Sequence, residues 1–185
     1  MPVTEATYRT LAEEDFESGW ELVCGRLRRK PGMTLRHNTI QTELGYQLRA
    51  QLAPTEYAVS VNAARLRLPS GDHFVPDVVV VPAAAREAKW DETGVEAYPE
   101  PMPLVIEVWS PSTGDYDVTE KVHGYQQRGD LEIWLVDLRT RSVRVIRRQA
   151  EGTYTERNQP RGGIRVASLP GVTLDLDAAF RQARL

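Results

Sequence analysis

An α/β protein built on a mixed β-sheet flanked by helices is the fold class this sequence predicts. Three observations lead there. The runs Val75-Pro76-Asp77-Val78-Val79-Val80-Val81 and Leu104-Val105-Ile106-Glu107-Val108-Trp109 are apolar and rich in β-branched residues, as in strands buried on both faces. Ile40, Leu44, Leu48 and Leu52 recur every four positions, the stripe of a helix facing a core. The element order (hairpin, helix, three or four strands, helix, strand) does not alternate regularly, which argues against a doubly wound dinucleotide fold. Neither a GxGxxG run nor a GxxxxGKS/T run is present to cradle phosphates.

Length and composition set the bounds. A chain of 185 residues, 41% hydrophobic and 26% charged, is expected to form one domain over 1–185. Within it we expect an N-terminal helix and hairpin (1–35), a core (36–148) and a C-terminal extension (149–185). No run reaches the roughly 18 apolar residues of a membrane span. The start, Met1-Pro2-Val3-Thr4-Glu5, lacks the basic and apolar segments of a secretory signal. Cys24 is the single cysteine, so neither an intrachain disulfide nor a cysteine zinc cluster can form. A cytoplasmic protein is the default expectation. The net charge of −3 excludes a strongly basic nucleic-acid coat but not a local basic face.

Taken in order, residues 1–19 predict a short helix, with Thr10 as cap and Glu13 completing a capping box. Trp20 to Arg28 predicts a hairpin turning at Gly25, where positive φ is cheap. Pro31-Gly32-Met33 is a break. The helix over 36–53 ends at Pro54, and His37 falls on its inward stripe. His37 is either a satisfied helix-start histidine or a member of a site. Tyr57–Val61 and Ala64–Leu68 predict strands, the second half-exposed because it alternates. On the next strand His73, Val75, Asp77, Val79 and Val81 would share one face. Residues 83–101 read as an irregular insertion. A helix should run from about Asp115 to Arg128, with Gly129 as its cap. Glu132–Asp137 predicts a buried strand, and Arg141–Arg147 pairs with it or continues the sheet after a turn. Arg139, Arg141, Arg144, Arg147 and Arg148 there are a solvated hairpin face or a phosphate-facing cluster. The tail from 151 carries turn chemistry, a short apolar piece at Val172–Leu174 and a helical turn near Phe180.

The chemistry concentrates in the two apolar runs, each of which holds one acid. A lone carboxylate inside a buried strand costs several kcal/mol unless it is paired, protonated or metal-bound. Asp77 has a plainer reading as a turn-like hydrogen bonder at a strand entrance; Glu107 has no local partner in sight. If the strands are neighbours, both acids can meet on one side, and two carboxylates together repel unless a cation lies between them. Their hard oxygens suit Mg²⁺ or Mn²⁺. The third member is Lys121. With Val118, Val122 and Tyr125 it occupies one helix face, an unusual place for lysine. It pairs with Asp117 at the surface, or it reaches the two acids. A nucleophilic role for Cys24 finds no base partner.

These residues carry a resemblance. Pro76-Asp77 followed by Glu107-Val108-Trp109 resembles the Pro-Asp…(Asp/Glu)-x-Lys signature of the restriction-endonuclease-like superfamily. The segment from Leu104 to Asp137, with Val105-Ile106-Glu107-Val108-Trp109-Ser110-Pro111-Ser112-Thr113, Glu120-Lys121, Tyr125 and Ile133-Trp134-Leu135-Val136-Asp137, is similar to the Uma-type endonuclease family. So are Glu21-Leu22-Val23-Cys24-Gly25 and His37, so the resemblance spans nearly the whole chain. It implies a restriction-endonuclease-like mixed sheet flanked by helices, with 36–148 as the nuclease-like core. It also implies Asp77 and Glu107 as Mg²⁺ ligands, the Val108 carbonyl as a further one, and Lys121 as the catalytic lysine. Trp109 stands where the signature lysine normally does, and cannot supply its charge; Trp109 itself reads as packing. Ser110 and Ser112 read as loop caps. The implied activity is metal-dependent hydrolysis of DNA phosphodiester bonds, by a homodimer if both strands are cut. The rival is a silent nuclease-like scaffold that binds a protein or nucleic-acid partner.

Overall fold

The computed structural model describes residues 2–15, 18–30, 32–91, 94–109 and 117–185, with only the backbone of Asp117 and Val118. The expectations for Ser110, Ser112, the Asp117 ion pair and the Val118 side chain lie outside the described residues.

The N-terminal helix α1 (Glu5–Glu14) starts six residues earlier than its sequence suggested. Thr4 is its cap, accepting from the Thr7 N–H, while Thr10 sits mid-helix and bonds the Ala6 carbonyl. The hairpin β1 (Trp20–Val23) and β2 (Arg26–Arg29) turns at Cys24-Gly25, both at positive φ (48° and 70°). Two left-handed residues make the tight turn whose twist matches a hairpin. Helix α2 (Leu35–Gln51) is capped by Thr34 and buries Ile40, Leu44 and Leu48 as the four-residue stripe requires.

The chain continues through β3 (Tyr57–Val61), β4 (Arg65–Arg67), β5 (His73–Phe74), β6 (Val78–Pro82), α3 (Ala83–Glu87), β7 (Ala97–Tyr98) and β8 (Leu104–Trp109). A π-helical turn (Asp117–Lys121) leads into α4 (Val122–Arg128), which ends at Gly129 in the left-handed conformation. Then come β9 (Glu132–Asp137), β10 (Ser142–Arg148), β11 (Tyr154–Pro160), β12 (Gly163–Arg165), β13 (Thr173–Asp175) and α5 (Leu176–Gln182). No described helix is long and apolar enough to cross a membrane.

The strands form a six-stranded sheet in the order β11-β10-β9-β8-β6-β3, a five-stranded sheet in the order β2-β1-β5-β4-β7, and the pair β12-β13. In the six-stranded sheet β8 and β9 are parallel and the other pairs antiparallel. Its two faces hold separate cores. One packs Val78, Val80, Leu104, Ile106 and Val108 against α2 and α5; the other packs Val79, Val81, Val105 and Ile133 against the smaller sheet and Tyr125.

Four expectations are corrected. The strand expected over 73–81 is two strands in two sheets, because Pro76 has no N–H to extend a ladder. His73 therefore leaves the face of Asp77 and bonds Glu5 at 2.9 Å. The half-exposed strand near 66 is mostly buried, since Glu5 of α1 crosses it and pairs with Arg67 at 2.6 Å. The irregular stretch over 83–101 contains α3 and β7. Strand β11 replaces an expected run of turns; its Thr-Glu-Arg-Asn stretch is exposed and carries no apolar alternation.

Helix α4 lies directly on the smaller sheet at Gly124. A Cβ there would strike the Phe74 ring and come within 2.7 Å of Leu68 Cδ2. Gly124→Ala should therefore cost about 1–3 kcal/mol in urea unfolding through overpacking, despite the better helix propensity of alanine.

Candidate active site

The short connector Val75-Pro76-Asp77 crosses from β5 in one sheet to β6 in the other. Asp77 stops one residue short of β6. The β6–β8 register pairs Val78 with Ile106, so one further step sets Asp77 opposite Glu107. The Asp77 side chain then takes a place in the ladder, with its Oδ2 accepting from the Val108 N–H at 2.7 Å.

Each acid has its own partners. Asp77 Oδ1 lies 2.7 Å from the Lys30 ammonium, and Oδ2 lies 3.0 Å from His37 Nε2. Glu107 Oε1 lies 3.0 Å from the Lys121 ammonium and accepts from the Tyr125 hydroxyl at 2.5 Å. Lys121 also pairs with Glu21 Oε1 at 2.9 Å. The Val75 peptide group ties these together. Its N–H donates to Glu21 Oε1 at 2.7 Å, and its carbonyl accepts from Lys30 at 3.0 Å and from Lys121 at 3.4 Å. Lys30 further donates to Asn62 Oδ1 at 2.7 Å.

Lys121 owes its place to the π turn, which brings its ammonium down onto β8. Single π turns inside helices are frequent at functional sites. Glu21, Asp77, Glu107, Lys121 and His37 are all buried; Lys30 is the most open member, with 13% of its side chain exposed. Burial pushes the Asp77 carboxyl up, but the Lys30 charge, the His37 hydrogen bond and the charges of His37 and Lys121 outweigh it and hold the group well below the usual carboxylate range. Burial first, and then the Glu107 charge, push the Tyr125 phenol well above its ordinary value, so it stays a donor.

The structure thus brings Asp77, Glu107 and Lys121 into one network and gives Lys121 buried partners in Glu21 and Glu107. It adds Glu21, Lys30 and Tyr125, and it puts His37 beside Asp77. Trp109 is half-buried at the end of β8, lining a shallow cavity of about 340 Å³ with Leu135, Asp137, Arg139 and Arg144. In the arginine cluster, Arg147 pairs with Glu132 at 3.1 Å and Arg144 with Glu156 at 3.5 Å.

Similarity to known proteins extends over nearly the whole chain. The Uma2 family model, described as "Putative restriction endonuclease", matches residues 6–179. The chain belongs to the Uma2 family. No curated protein matches. A crystal structure described as a putative nuclease belonging to DUF820, from Anabaena variabilis, superposes with a TM-score of 0.80 at 20% identity; the match covers 98% of this chain and 99% of that one. The Uma2 architecture seen here, a mixed sheet flanked by helices, is therefore a nuclease-like fold.

In this Uma2 site Asp77 and Glu107 are the candidate holders of a divalent ion. They offer hard oxygen donors from facing positions, which suits an ion that keeps several waters and takes one or two carboxylates. They do not form a cage: among the described residues no group of three or more His, Cys, Asp or Glu is arranged to hold a metal.

Two outcomes follow for stability. Lys121→Met strands Glu21 and Glu107 without their shared cation and should cost about 3–5 kcal/mol in denaturant unfolding. Neutralising both acids as well (Glu21→Gln, Glu107→Gln) should recover much of that. Because the folded pKa of Asp77 lies below its ordinary 3.8, its contribution is present above that pH and is lost as pH falls through the folded value. The stability gap between wild type and Asp77→Asn should therefore be constant near neutrality and close in acid.

Proposed function

We propose that this chain is a divalent-metal-dependent endonuclease that hydrolyses DNA phosphodiester bonds, with Asp77 and Glu107 as the metal-holding carboxylates and Lys121 as the charge-stabilising lysine. The observation that carries this is the convergence of the two acids from facing strand positions with the Lys121 ammonium 3.0 Å from Glu107. Membership of a family described as restriction endonucleases supports the reaction class.

Asp77 and Glu107 would hold Mg²⁺ or Mn²⁺, which would supply an activated water and polarise the scissile phosphate. The chain's residues do the rest. Val108 N–H and His37 fix the orientation of the Asp77 carboxylate. Tyr125 fixes Glu107. Lys121, held between Glu21 and Glu107, keeps a positive charge where negative charge grows on the phosphate. Lys30 neutralises Asp77 Oδ1 and must yield or share that oxygen when a divalent ion binds. Cutting both strands would call for two such sites, as in a homodimer.

One observation favours the scaffold reading. The acids are already neutralised by the Lys30 and Lys121 ammoniums, while Trp109 stands in place of the signature lysine. Cleavage of plasmid and oligonucleotide DNA with Mg²⁺, Mn²⁺ or chelator separates the two. We expect metal-dependent cleavage that Asp77→Ala and Glu107→Ala abolish and that Lys121→Met lowers by about 10²–10³-fold. Cleavage that survives loss of the acids, or none with any metal, would remove the proposal. Calorimetry with Mn²⁺ should show tighter binding to Lys30→Met than to wild type, because the competing ammonium is gone.

A further inference from the structure

A cleft of about 540 Å³ opens between the outer edge of β3, the β4 and β7 end of the smaller sheet, and the segment following α3. Among the described residues its lining includes Arg49, Arg65, Arg86 and Lys89 against the one acid Glu96. Its volume suits a nucleotide-sized ligand.

Three details give the cleft its chemistry. Arg49 is held along the strand edge by donating to the Val59 carbonyl at 3.2 Å. Arg86 lies over the Trp90 ring, 5.1 Å from its centroid, and Trp90 remains 64% exposed. An exposed indole beside guanidinium groups is what a stacked base with neighbouring phosphates requires. The cleft is also joined to the site. Val61 and Ala63 line it, while Asn62 between them, at φ 54°, holds the Lys30 ammonium that pairs with Asp77.

We infer that this cleft is a second, non-catalytic nucleotide site, in which Arg49, Arg86 and Lys89 take phosphate and Trp90 stacks a base. The ligand chemistry is a nucleotide phosphate. Two sources supply it: a free nucleotide, or a nucleotide of a bound strand that flanks the bond cut at Asp77 and Glu107. The second source rests on the nuclease reading; the cleft's affinity for nucleotide phosphate does not.

The test uses the full chain with chelator present, so that no cleavage intervenes. A fluorescent oligothymidylate is titrated by anisotropy, and thymidine monophosphate by tryptophan quenching. Wild type should bind at least one of them. Arg86→Ala with Lys89→Ala should weaken that binding about tenfold or more and lower the salt slope by about one for each phosphate no longer neutralised. Trp90→Ala should weaken it and Trp90→Phe largely restore it, while all variants keep wild-type melting temperatures. Binding of the monophosphate assigns a free nucleotide; binding of the oligonucleotide alone assigns a flanking strand. No binding of either probe, or binding unchanged in affinity and salt slope in the cleft variants, overturns the inference. A protein that binds through the cleft but never cuts leaves this inference standing and removes the nuclease reading; one that cuts with unaltered cleft-variant binding does the reverse.

Discussion

The structure turns on one peptide group. The Val75 N–H anchors Glu21, and the Val75 carbonyl holds the ammonium groups of Lys30 and Lys121. Those three residues come from the smaller sheet, the end of its hairpin and the π turn after β8. The carboxylates of Glu21, Asp77 and Glu107 and the ammoniums of Lys30 and Lys121 cannot each be taken from water alone; the desolvation cost of any one of them is several kcal/mol. They are tolerable only as a set, and Val75 fixes the geometry of the set.

Pro76 explains why the set sits where it does. With no N–H to donate, it cannot sit within a continuous ladder, and the chain leaves one sheet for the other there. The strand gap this opens beside β8 leaves the Val108 N–H without a backbone partner from β6. The Asp77 carboxylate fills that role at 2.7 Å. The acid is therefore part of the hydrogen-bonding scheme of the sheet as well as of the charge network. The same arrangement of sheets and helices recurs in the Anabaena variabilis structure at 20% identity.

Much of this was legible in the residues. Glu107 stood out because a single acid inside Leu104–Trp109 has no local partner, and Lys121 because it falls on an inward helical face. The α2 stripe and the β9–β10 pair were legible for the same reason: burial imposes a period on apolar residues. What stayed hidden was hidden for physical reasons. Glu21 sits in Trp-Glu-Leu-Val, which reads as an ordinary hairpin strand until the π turn sets Lys121 against it. Lys30 ends a basic run, Arg26 to Lys30, that looks solvated throughout. Pro76 did signal a break, but a run of valines on its far side outweighed it. Strand β11 is an exposed edge whose Thr155–Gln159 has no apolar period to detect. His37 was ambiguous because its partner, forty positions away, cannot be inferred from a helix face alone.

The sequence distances spanned by the network carry a consequence for folding. The Lys121–Val75, Glu21–Val75 and His37–Asp77 contacts bridge 46, 54 and 40 positions, and the Asp77–Val108 bond bridges 31. Every one of them closes a long loop, whose entropy must be lost before any contact offsets it. Until both sheets and α4 are in place, the acids and lysines remain better served by water than by one another. The charged centre is thus among the last parts of the molecule to assemble, and it becomes dry only when the rest of the chain has already committed to its fold.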